Sequence, residues 1–166
     1  MDNEPPEMDT FMETCKRVEE AVAGEANTVN VAAGNVLLVG DIHGDLEALE
    51  KVMTVVAEGA YARVVFLGDY VDRGPSSIMC LHRVMEAKLR DRKRFVLLRG
   101  NHETELNRYY GFLDEVMGVY GSKAPWKAAN SMFAHLPLCA VVNNRIFAVH
   151  GGVSSAIRTL DDIDRF

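Results

Sequence analysis

Four short runs of apolar residues in this chain each end in a polar loop that contains glycine. The runs span residues 36–39, 64–67, 95–98 and 146–149. Each run is short and bounded by polar residues, which predicts a buried β-strand. The loops that follow carry Asp, Asn or His beside glycine. Side chains with chemical function are therefore expected at one edge of the predicted sheet.

Stretches with the apolar spacing of amphipathic helices lie between and around these strands. The spacing predicts helices over residues 10–23, 46–56, 78–89, 105–120 and 124–135, with a short helix after Thr159. Asp45 directly precedes the second helix and is expected to cap its first turn. Strands that alternate with helices in this way favour a layered α/β domain over an all-β one.

The remaining segments are less regular. Residues 1–9 are expected to be a frayed tail, and residues 25–34 a connector or a short edge strand. Residues 138–149 contain two apolar runs separated by Asn143 and Asn144. Because Asn tolerates the left-handed conformation of tight turns, this segment predicts an antiparallel hairpin that ends at His150.

Composition excludes several classes of protein. The 166 residues suit one domain with a substantial apolar core, and the formal net charge of −6 without a basic block argues against nucleic-acid binding. Neither a secretory leader nor an apolar run of membrane-spanning length is evident. The cysteines are widely spaced, without a CxxC pair, and suit a reducing compartment. A soluble cytoplasmic protein is the prediction.

The strand-end loops contain a set of side chains suited to transition metals. Asp41 and His43 stand two residues apart, so in an extended segment both side chains point the same way. The later loops add Asp69, Asn101 and His150. Mixed oxygen and nitrogen ligands without thiolate favour Mn, Fe or Zn over Ca or a structural Zn site. These five residues are the candidate metal ligands.

Asp69 stands between the other ligand loops and could bridge two ions, spaced about 3.5–4 Å apart as in phosphoryl-transfer sites. Two such cations lower the pKa of a shared water and so supply hydroxide for in-line attack at neutral pH. Arg73 offers a donor fork for phosphate oxygens. His102 could donate a proton to the leaving oxygen, and Asp72 could orient its imidazole. These last three residues form the catalytic trio.

Simpler interpretations apply to any single residue of this kind. A lone Asp or His at a strand end is usually a cap or a surface group. His82 and His135 lie within predicted helices, without acidic and glycine neighbours of the same pattern, and are taken as packing or surface residues. Recurrence distinguishes the loops, because four independent caps would not be expected to offer complementary chemistry.

Five motifs in and between these loops stand out, namely GDIHGD (40–45), GDYVDRG (68–74), RGNHE (99–103), YGFLDE (110–115) and HGG (150–152). Together they resemble the signature motifs of a known family, the PPP-type protein serine/threonine phosphatases within the calcineurin-like metallophosphoesterases. The resemblance covers residues 36–166. It implies an α/β fold in which a central β-sandwich is flanked by helices, with the metals at the strand ends.

Carried over position by position, the resemblance implies the roles that the chemistry suggests. Asp41 and His43 would bind the first metal, Asp69 would bridge, and Asn101 and His150 would bind the second. The catalytic trio would keep the roles given above. The implied cofactors are two divalent or trivalent ions of Mn, Fe or Zn.

The family's catalytic domains are considerably longer, and their later half contributes a further His ligand and a further phosphate-binding Arg. Residues 1–34 are therefore expected to form a tail and helix, and residues 35–166 a catalytic domain cut short after the HGG block. Losing part of a sandwich would expose a core face.

The predicted function is metal-dependent hydrolysis of phosphoserine and phosphothreonine in proteins. A phosphoprotein substrate and a regulatory subunit are the implied partners, without nucleic acid or membrane. Two alternatives stay open. One is a relative that acts on small phosphoesters or dinucleoside polyphosphates, and the other is a metal-binding interaction module with little or no turnover.

Overall fold

A computed structural model describes residues 4–166 of the chain. The helices are α1 (Met8–Val22), α2 (Leu46–Glu58), α3 (Ser77–Arg90), α4 (Phe112–Tyr120), α5 (Ala124–Ala134) and α6 (Leu160–Asp164). The strands are β1 (Thr28–Val31), β2 (Val36–Val39), β3 (Arg63–Phe66), β4 (Phe95–Leu97), β5 (Cys139–Val142) and β6 (Ile146–Val149). A 3₁₀ turn over Glu105–Tyr109 precedes α4. The predicted alternation of strands and helices is confirmed.

The strands form two three-stranded sheets. In one sheet β2, β3 and β4 run parallel in that order, with α2 and α3 as the connections between them. In the other, β5 lies between β1 and β6, parallel to β1 and antiparallel to β6. Parallel strands have their carboxyl ends at the same edge of a sheet. The loops after β2, β3 and β4 are therefore brought together.

The alternating faces of β3 belong to different parts of the core. Val65 packs in the apolar cluster that includes Ala140 and Val142 of β5, so the two sheets face each other across this cluster. Val64 and Phe66 point the other way, into the cluster formed with the helices. The expected sandwich flanked by helices is thus confirmed.

Local signals in the sequence explain several element ends. The side chain of Asp45 accepts a hydrogen bond from the Ala48 amide at 2.9 Å and caps α2 as predicted. In the hairpin turn between β5 and β6, Asn143 and Asn144 have φ angles of +53° and +54°. The predicted hairpin is therefore confirmed, together with the left-handed turn that specifies it.

The prediction of a frayed tail over residues 1–9 is wrong for its later part, and residues 1–3 lie outside the described residues. Helix α1 begins at Met8, and the carbonyl of Glu7 accepts a hydrogen bond from the Phe11 amide. The Tyr120 hydroxyl donates to the carbonyl of Pro6 at 2.8 Å. The buried Phe11 ring anchors this turn, so the helix begins about one turn before its first buried residue.

The single helix predicted over residues 105–120 is also wrong. The segment is a 3₁₀ turn followed by α4, with Gly111 between them at a φ of +121°. This φ value lies outside the helical region, and glycine adopts it readily because it lacks Cβ. The break lies beside the candidate site, where the carbonyl of Tyr110 accepts a hydrogen bond from the Arg73 amide.

Residues 25–34 include a strand, β1, at the edge of its sheet, which confirms the edge-strand alternative. Helix α1 packs against α3 and α5, and its Phe11, Cys15 and Val18 side chains are fully buried. The boundary proposed between residues 34 and 35 stays a prediction. Within residues 4–166, no helix is long and apolar enough to cross a membrane.

Candidate metal centre and active site

The candidate ligands lie at the strand ends, where the sequence predicted them. Asp41 follows β2, Asp69 follows β3, Asn101 follows β4 and His150 follows β6. The Nε2 atom of His150 lies 2.8 Å from Asn101 Oδ1 and 3.3 Å from Asp69 Oδ2. Strand ends from both sheets therefore meet at one site.

His43 completes this set from the first loop. Its Nδ1 atom lies 2.9 Å from the carbonyl oxygen of Val71, and this contact assigns the proton to Nδ1. Its Nε2 atom lies 3.4 Å from Asp69 Oδ2. Among the described residues, this buried Nε2 has no hydrogen-bond partner. A buried imidazole nitrogen with a lone pair beside a carboxylate fits a metal ligand.

Asp69 belongs to two groups of side chains that could each hold a metal ion. One group contains His43, Asp69 and His102, and the other contains Asp41, Asp69 and His150. Within each group, one ligand atom from every residue lies within 4.8 Å of the others. Asp69 is the member that the groups share, so the geometry fits the expected bridging carboxylate. Its carboxylate is also buried, with a side-chain exposure of 3%.

The second group is the more open of the two. The Asp41 side chain is 55% exposed, and its oxygens lie 3.9 Å from His43 Nε2 and 3.9 Å from His150 Nδ1. These separations exceed hydrogen-bond distance, and they leave room for a cation between the groups. The donor set of carboxylates, imidazoles and an amide oxygen therefore fits divalent metal ions.

The catalytic trio lies beside these ligands. His102 Nδ1 is 2.6 Å from Asp72 Oδ2, and both residues are buried. The other oxygen of Asp72 accepts the Phe112 amide at 2.9 Å, which fixes the carboxylate. The Nη2 atom of Arg73 lies 3.3 Å from His102 Nε2. The guanidinium and the outer imidazole nitrogen therefore face the same point.

The position of His102 fits both a general acid and a metal ligand. The sequence prediction has this imidazole near the metals without binding them, yet its position also allows it to join His43 and Asp69 around an ion. Its contact with Asp72 is the one expected of the acid role, and that role stays a prediction.

The loops hold four non-glycine residues in the left-handed region of φ. These are His43 at +46°, Asp69 at +53°, Asp72 at +71° and Arg73 at +66°. Each such residue costs about 1–3 kcal/mol and persists only where its surroundings enforce it. Backbone bonds supply part of this support, because the amides of Ile42 and His43 both donate to the carbonyl of Asp69.

Two glutamates that the sequence analysis assigned no role, the buried Glu103 and the partly buried Glu115, support the same loops. Glu103 accepts hydrogen bonds from the backbone amides of Asp69, Tyr70 and Gly100. Burial raises the pKa of Glu103, and the three N–H donors oppose this shift because they favour the ionised carboxylate. Its place in the RGNHE motif, next to a predicted ligand loop, was the only signal in the sequence.

Glu115 has a similar position at the start of α3. Its carboxylate accepts hydrogen bonds from the backbone amides of Ser77 and Ile78 at 2.8 Å and 2.9 Å. Burial raises the pKa of Glu115, and the hydrogen bonds oppose the shift. The Ser77 hydroxyl in turn accepts the Asp72 amide. Glu115 therefore supports the loop that carries Asp72 from behind.

Fold and ligand set together define an α/β protein with a candidate dinuclear metal centre at its strand ends. The sequence model of the calcineurin-like phosphoesterase family matches residues 34–166, and the chain belongs to this family. Membership implies divalent metal ions as cofactors, in agreement with the ligands present. The predicted family resemblance is thus confirmed.

Solved structures with the same fold include several phosphoesterases. A protein serine/threonine phosphatase from Saccharomyces cerevisiae, with similarity to human phosphatase PP5, gives a TM-score of 0.86 at 25% identity. The match covers 97% of this chain and 53% of that chain. This chain therefore spans about half the length of that phosphatase, and the resemblance to protein phosphatases found in the motifs extends to the structure.

Two more distant structures share the fold alone. A cold-active protein-tyrosine phosphatase of a Shewanella species gives a TM-score of 0.66 at 21% identity, covering 88% of this chain and 51% of that one. A protein assigned as a diadenosine tetraphosphatase gives a TM-score of 0.52 at 22% identity, covering 84% and 62%. Family membership and the similarity to the yeast phosphatase support a hydrolase of phosphoesters.

Proposed function

We propose that this site hydrolyses phosphoserine and phosphothreonine monoesters in proteins with the help of two divalent metal ions. One observation carries the proposal. The carboxylate of Asp69 is shared by two groups of potential ligands, and the His102–Asp72 pair lies directly beside it. Similarity to the yeast serine/threonine phosphatase supports the choice of protein substrates.

The proposed ligands divide between two ions. Asp41 and His43 would hold the first, Asn101 and His150 would hold the second, and Asp69 would contribute to both. Asp41 lies 3.9 Å from a nitrogen of both His43 and His150, so its assignment to the first ion follows the family pattern and not the grouping of side chains in the structure. When bound, such ions lower the pKa of a shared water and draw charge from the phosphoryl oxygens. Mn, Fe and Zn all suit this set of oxygen and nitrogen donors.

The protein's own side chains bind and orient the substrate. Arg73 presents a planar donor fork that suits two phosphate oxygens. Since Arg73 Nη2 lies 3.3 Å from His102 Nε2, a phosphate gripped by this fork would lie against the imidazole. His102 in its protonated form then donates the Nε2 proton to the departing serine or threonine oxygen. Asp72 stabilises the imidazolium through the 2.6 Å contact to Nδ1.

The test compares the wild-type chain with His102→Asn. Manganese content and hydrolysis of a phosphoserine peptide, p-nitrophenyl phosphate and diadenosine tetraphosphate are measured with added Mn²⁺. Loss of a general acid lowers turnover by about 10²–10⁴-fold, and Mn²⁺ binding is expected to stay intact because His102 is not a ligand in this scheme. His135→Asn is the matched control, because this histidine is exposed on the surface at the end of α5.

Each outcome separates the proposal from its alternatives. Peptide hydrolysis that is lost in His102→Asn but retained in His135→Asn supports the proposal. Hydrolysis of the dinucleotide without the peptide favours a small-phosphoester enzyme. Stoichiometric Mn²⁺ binding without any hydrolysis favours the metal-binding module. A regulatory subunit and a cytoplasmic location stay predictions.

A further inference from the structure

A single carboxylate connects two of the loops that carry candidate ligands. Glu103 is fully buried, and its Oε2 accepts the Asp69 amide at 2.6 Å and the Gly100 amide at 2.9 Å. Its Oε1 accepts the Tyr70 amide at 2.9 Å. Asp69 and Tyr70 follow β3, and Gly100 follows β4. One side chain therefore holds the backbone of both loops.

The connection determines where the Asp69 side chain points. Asp69 has a φ of +53°, an unfavourable conformation that the surroundings must enforce. Glu103 holds its amide, while Asp69 Oδ1 accepts the His102 amide at 3.0 Å. With one oxygen occupied in this way, the other is directed at His43 and His150. The aim of the shared ligand therefore depends on a bond made by Glu103.

The backbone at Gly100 packs closely against the Asp69 and Glu103 carboxylates. A Cβ atom on Gly100 would overlap the Asp69 side chain and would lie 2.7 Å from Glu103 Oε2. Backbone N–H groups point at both side-chain oxygens of Glu103, two at Oε2 and one at Oε1. Both atoms of the side-chain terminus must therefore be hydrogen-bond acceptors. A carboxylate meets this requirement, and an amide does not.

We propose that Glu103 is a positioning residue that sets the metal affinity of the site by fixing Asp69. Glu103 touches neither the metals nor the substrate in this scheme. The inference rests on the proposed function in one respect, namely that Asp69 binds metal. It does not require that the site bind or hydrolyse a phosphorylated substrate.

The test substitutes Glu103→Gln and measures Mn²⁺ affinity by calorimetry. The glutamine side chain can accept only through its oxygen, and its NH₂ group faces a backbone N–H. The backbone of one loop therefore loses its hydrogen bond to residue 103. Loss of a group that orients a ligand typically weakens metal binding by about 10–100-fold. In the metal-free chain, hydrogen exchange at the amides of Asp69, Tyr70 and Gly100 should rise as well. Excess Mn²⁺ should restore binding, because the ligands themselves are unchanged.

Glu25→Gln is the matched control for a general loss of stability. Glu25 pairs with the buried Lys88 at 2.6 Å, near the end of α3 that lies away from the candidate ligands. This variant also disturbs an acid that holds a buried group, yet it should leave the Mn²⁺ dissociation constant unchanged. If Glu103→Gln does not fold, Glu103→Asp provides the same comparison, since it keeps the charge but shortens the reach.

The results distinguish this inference from the proposed function. Weaker Mn²⁺ binding in the Glu103 variant, with unchanged binding in Glu25→Gln, supports the inference even if the wild-type chain hydrolyses no phosphoester. Wild-type affinity in the Glu103 variant overturns the inference, and so does an equal loss of affinity in Glu25→Gln. A wild-type chain that binds no Mn²⁺ overturns both the inference and the metal part of the proposed function.

Discussion

The candidate site has two sides that are built differently. The buried side consists of the loops after β2, β3 and β4, residues 40–45, 68–74 and 99–103. Asp69, Asp72, His102 and Glu103 belong to it, and all four are buried. The open side is the segment 150–158 after β6, where residues 151–156 are exposed. Most of the proposed chemistry thus depends on the buried side, while the open side supplies His150.

The two sides also differ in how the backbone is held. On the buried side, acceptors from other segments hold the amides of residues with positive φ. The Glu103 carboxylate accepts the Asp69 amide, and the Ser77 hydroxyl accepts the Asp72 amide. On the open side, the backbone hydrogen bonds described for residues 151–157 stay within the segment, as in the bond from the Gly152 amide to the His150 carbonyl. The segment joins the buried side through His150, which contacts Asn101 and Asp69. The difference predicts that metal binding depends unequally on the two sides.

The largest expected effect follows from Asp69→Asn. The amide can still accept the His102 N–H through Oδ1, but its NH₂ group then points at both ions. We expect Mn²⁺ binding to fall by more than about 100-fold at both positions, beyond the effect of losing an orienting group. Calorimetry with Mn²⁺ measures this, with the exposed Asp114→Asn as control. Retention of one tightly bound ion would contradict the bridging role.

A smaller effect is expected from His150→Ala, which removes the open side's ligand. Asp41, His43 and Asp69 remain, so one ion should stay bound while the other weakens by at least about 10-fold. The same titration should show a change from two equivalents to one. His135→Ala controls for the loss of a surface histidine. If both ions were lost together, the two sides would act as a single unit and the comparison would fail.

Sequence spacing was enough to predict which residues meet, and the reason is topological. Parallel strands end at a common edge, so the polar residues after β2, β3 and β4 are brought to one place. His150 follows β6 of the other sheet and reaches the same place because the two sheets face each other. All eight predicted site residues lie there, from Asp41 to His150. Their roles as ligand, acid or phosphate donor stay predictions, because spacing does not show which atom each side chain presents.

The support of the site could not be predicted in the same way. Glu103 and Glu115 act through backbone amides of distant segments, and a sequence pattern does not report such contacts. Glu115, for example, reaches Ser77, which lies 38 positions earlier in the chain. The break at Gly111 was missed for a related reason, since glycine at that position is compatible with both a helix and a turn. Tertiary contacts decide between these local options.

Glycines on the two sides are expected to differ in how much their replacement by alanine costs. In Gly100→Ala, the new Cβ meets Asp69 and Glu103, and overpacking of this kind costs about 1–3 kcal/mol. In Gly151→Ala, no described atom outside residues 150–152 lies within 4 Å of the new Cβ, and only the φ of +74° opposes the change. We expect Gly100→Ala to lower both the free energy of unfolding and Mn²⁺ affinity. Gly151→Ala should cost about 1 kcal/mol and change Mn²⁺ affinity much less.

Denaturant unfolding of the metal-free chains, followed by Mn²⁺ titration, measures both quantities. The combination matters because a stability loss alone does not locate the damage. Equal effects of the two substitutions on Mn²⁺ affinity would show that the open segment is positioned as firmly as the buried loops.

The smallest effect is expected at the end of the open side, where α6 begins. Asp162 Oδ2 accepts the amides of Arg158 and Thr159 at 3.0 Å and 2.9 Å. Helix α6 is also tied to β1, because Asp164 Oδ1 accepts the Thr28 amide at 2.7 Å. Asp162→Ala removes the hydrogen bonds to the Arg158 and Thr159 amides and keeps the bond between Asp164 and β1. We expect faster hydrogen exchange within α6 and almost no change in the global unfolding midpoint, since this end of the chain opens locally.

Asp45→Ala is the matched change on the buried side, because it also removes a carboxylate that caps a helix. Loss of an N-cap costs about 1 kcal/mol, and α2 packs in the main core, so here the global midpoint should fall by a few degrees. Exchange measured residue by residue, together with thermal melts, separates the two responses. If Asp162→Ala lowered the midpoint as much as Asp45→Ala does, α6 would have to unfold together with the core. The open side would then be as firmly integrated into the fold as the loops that hold Asp69.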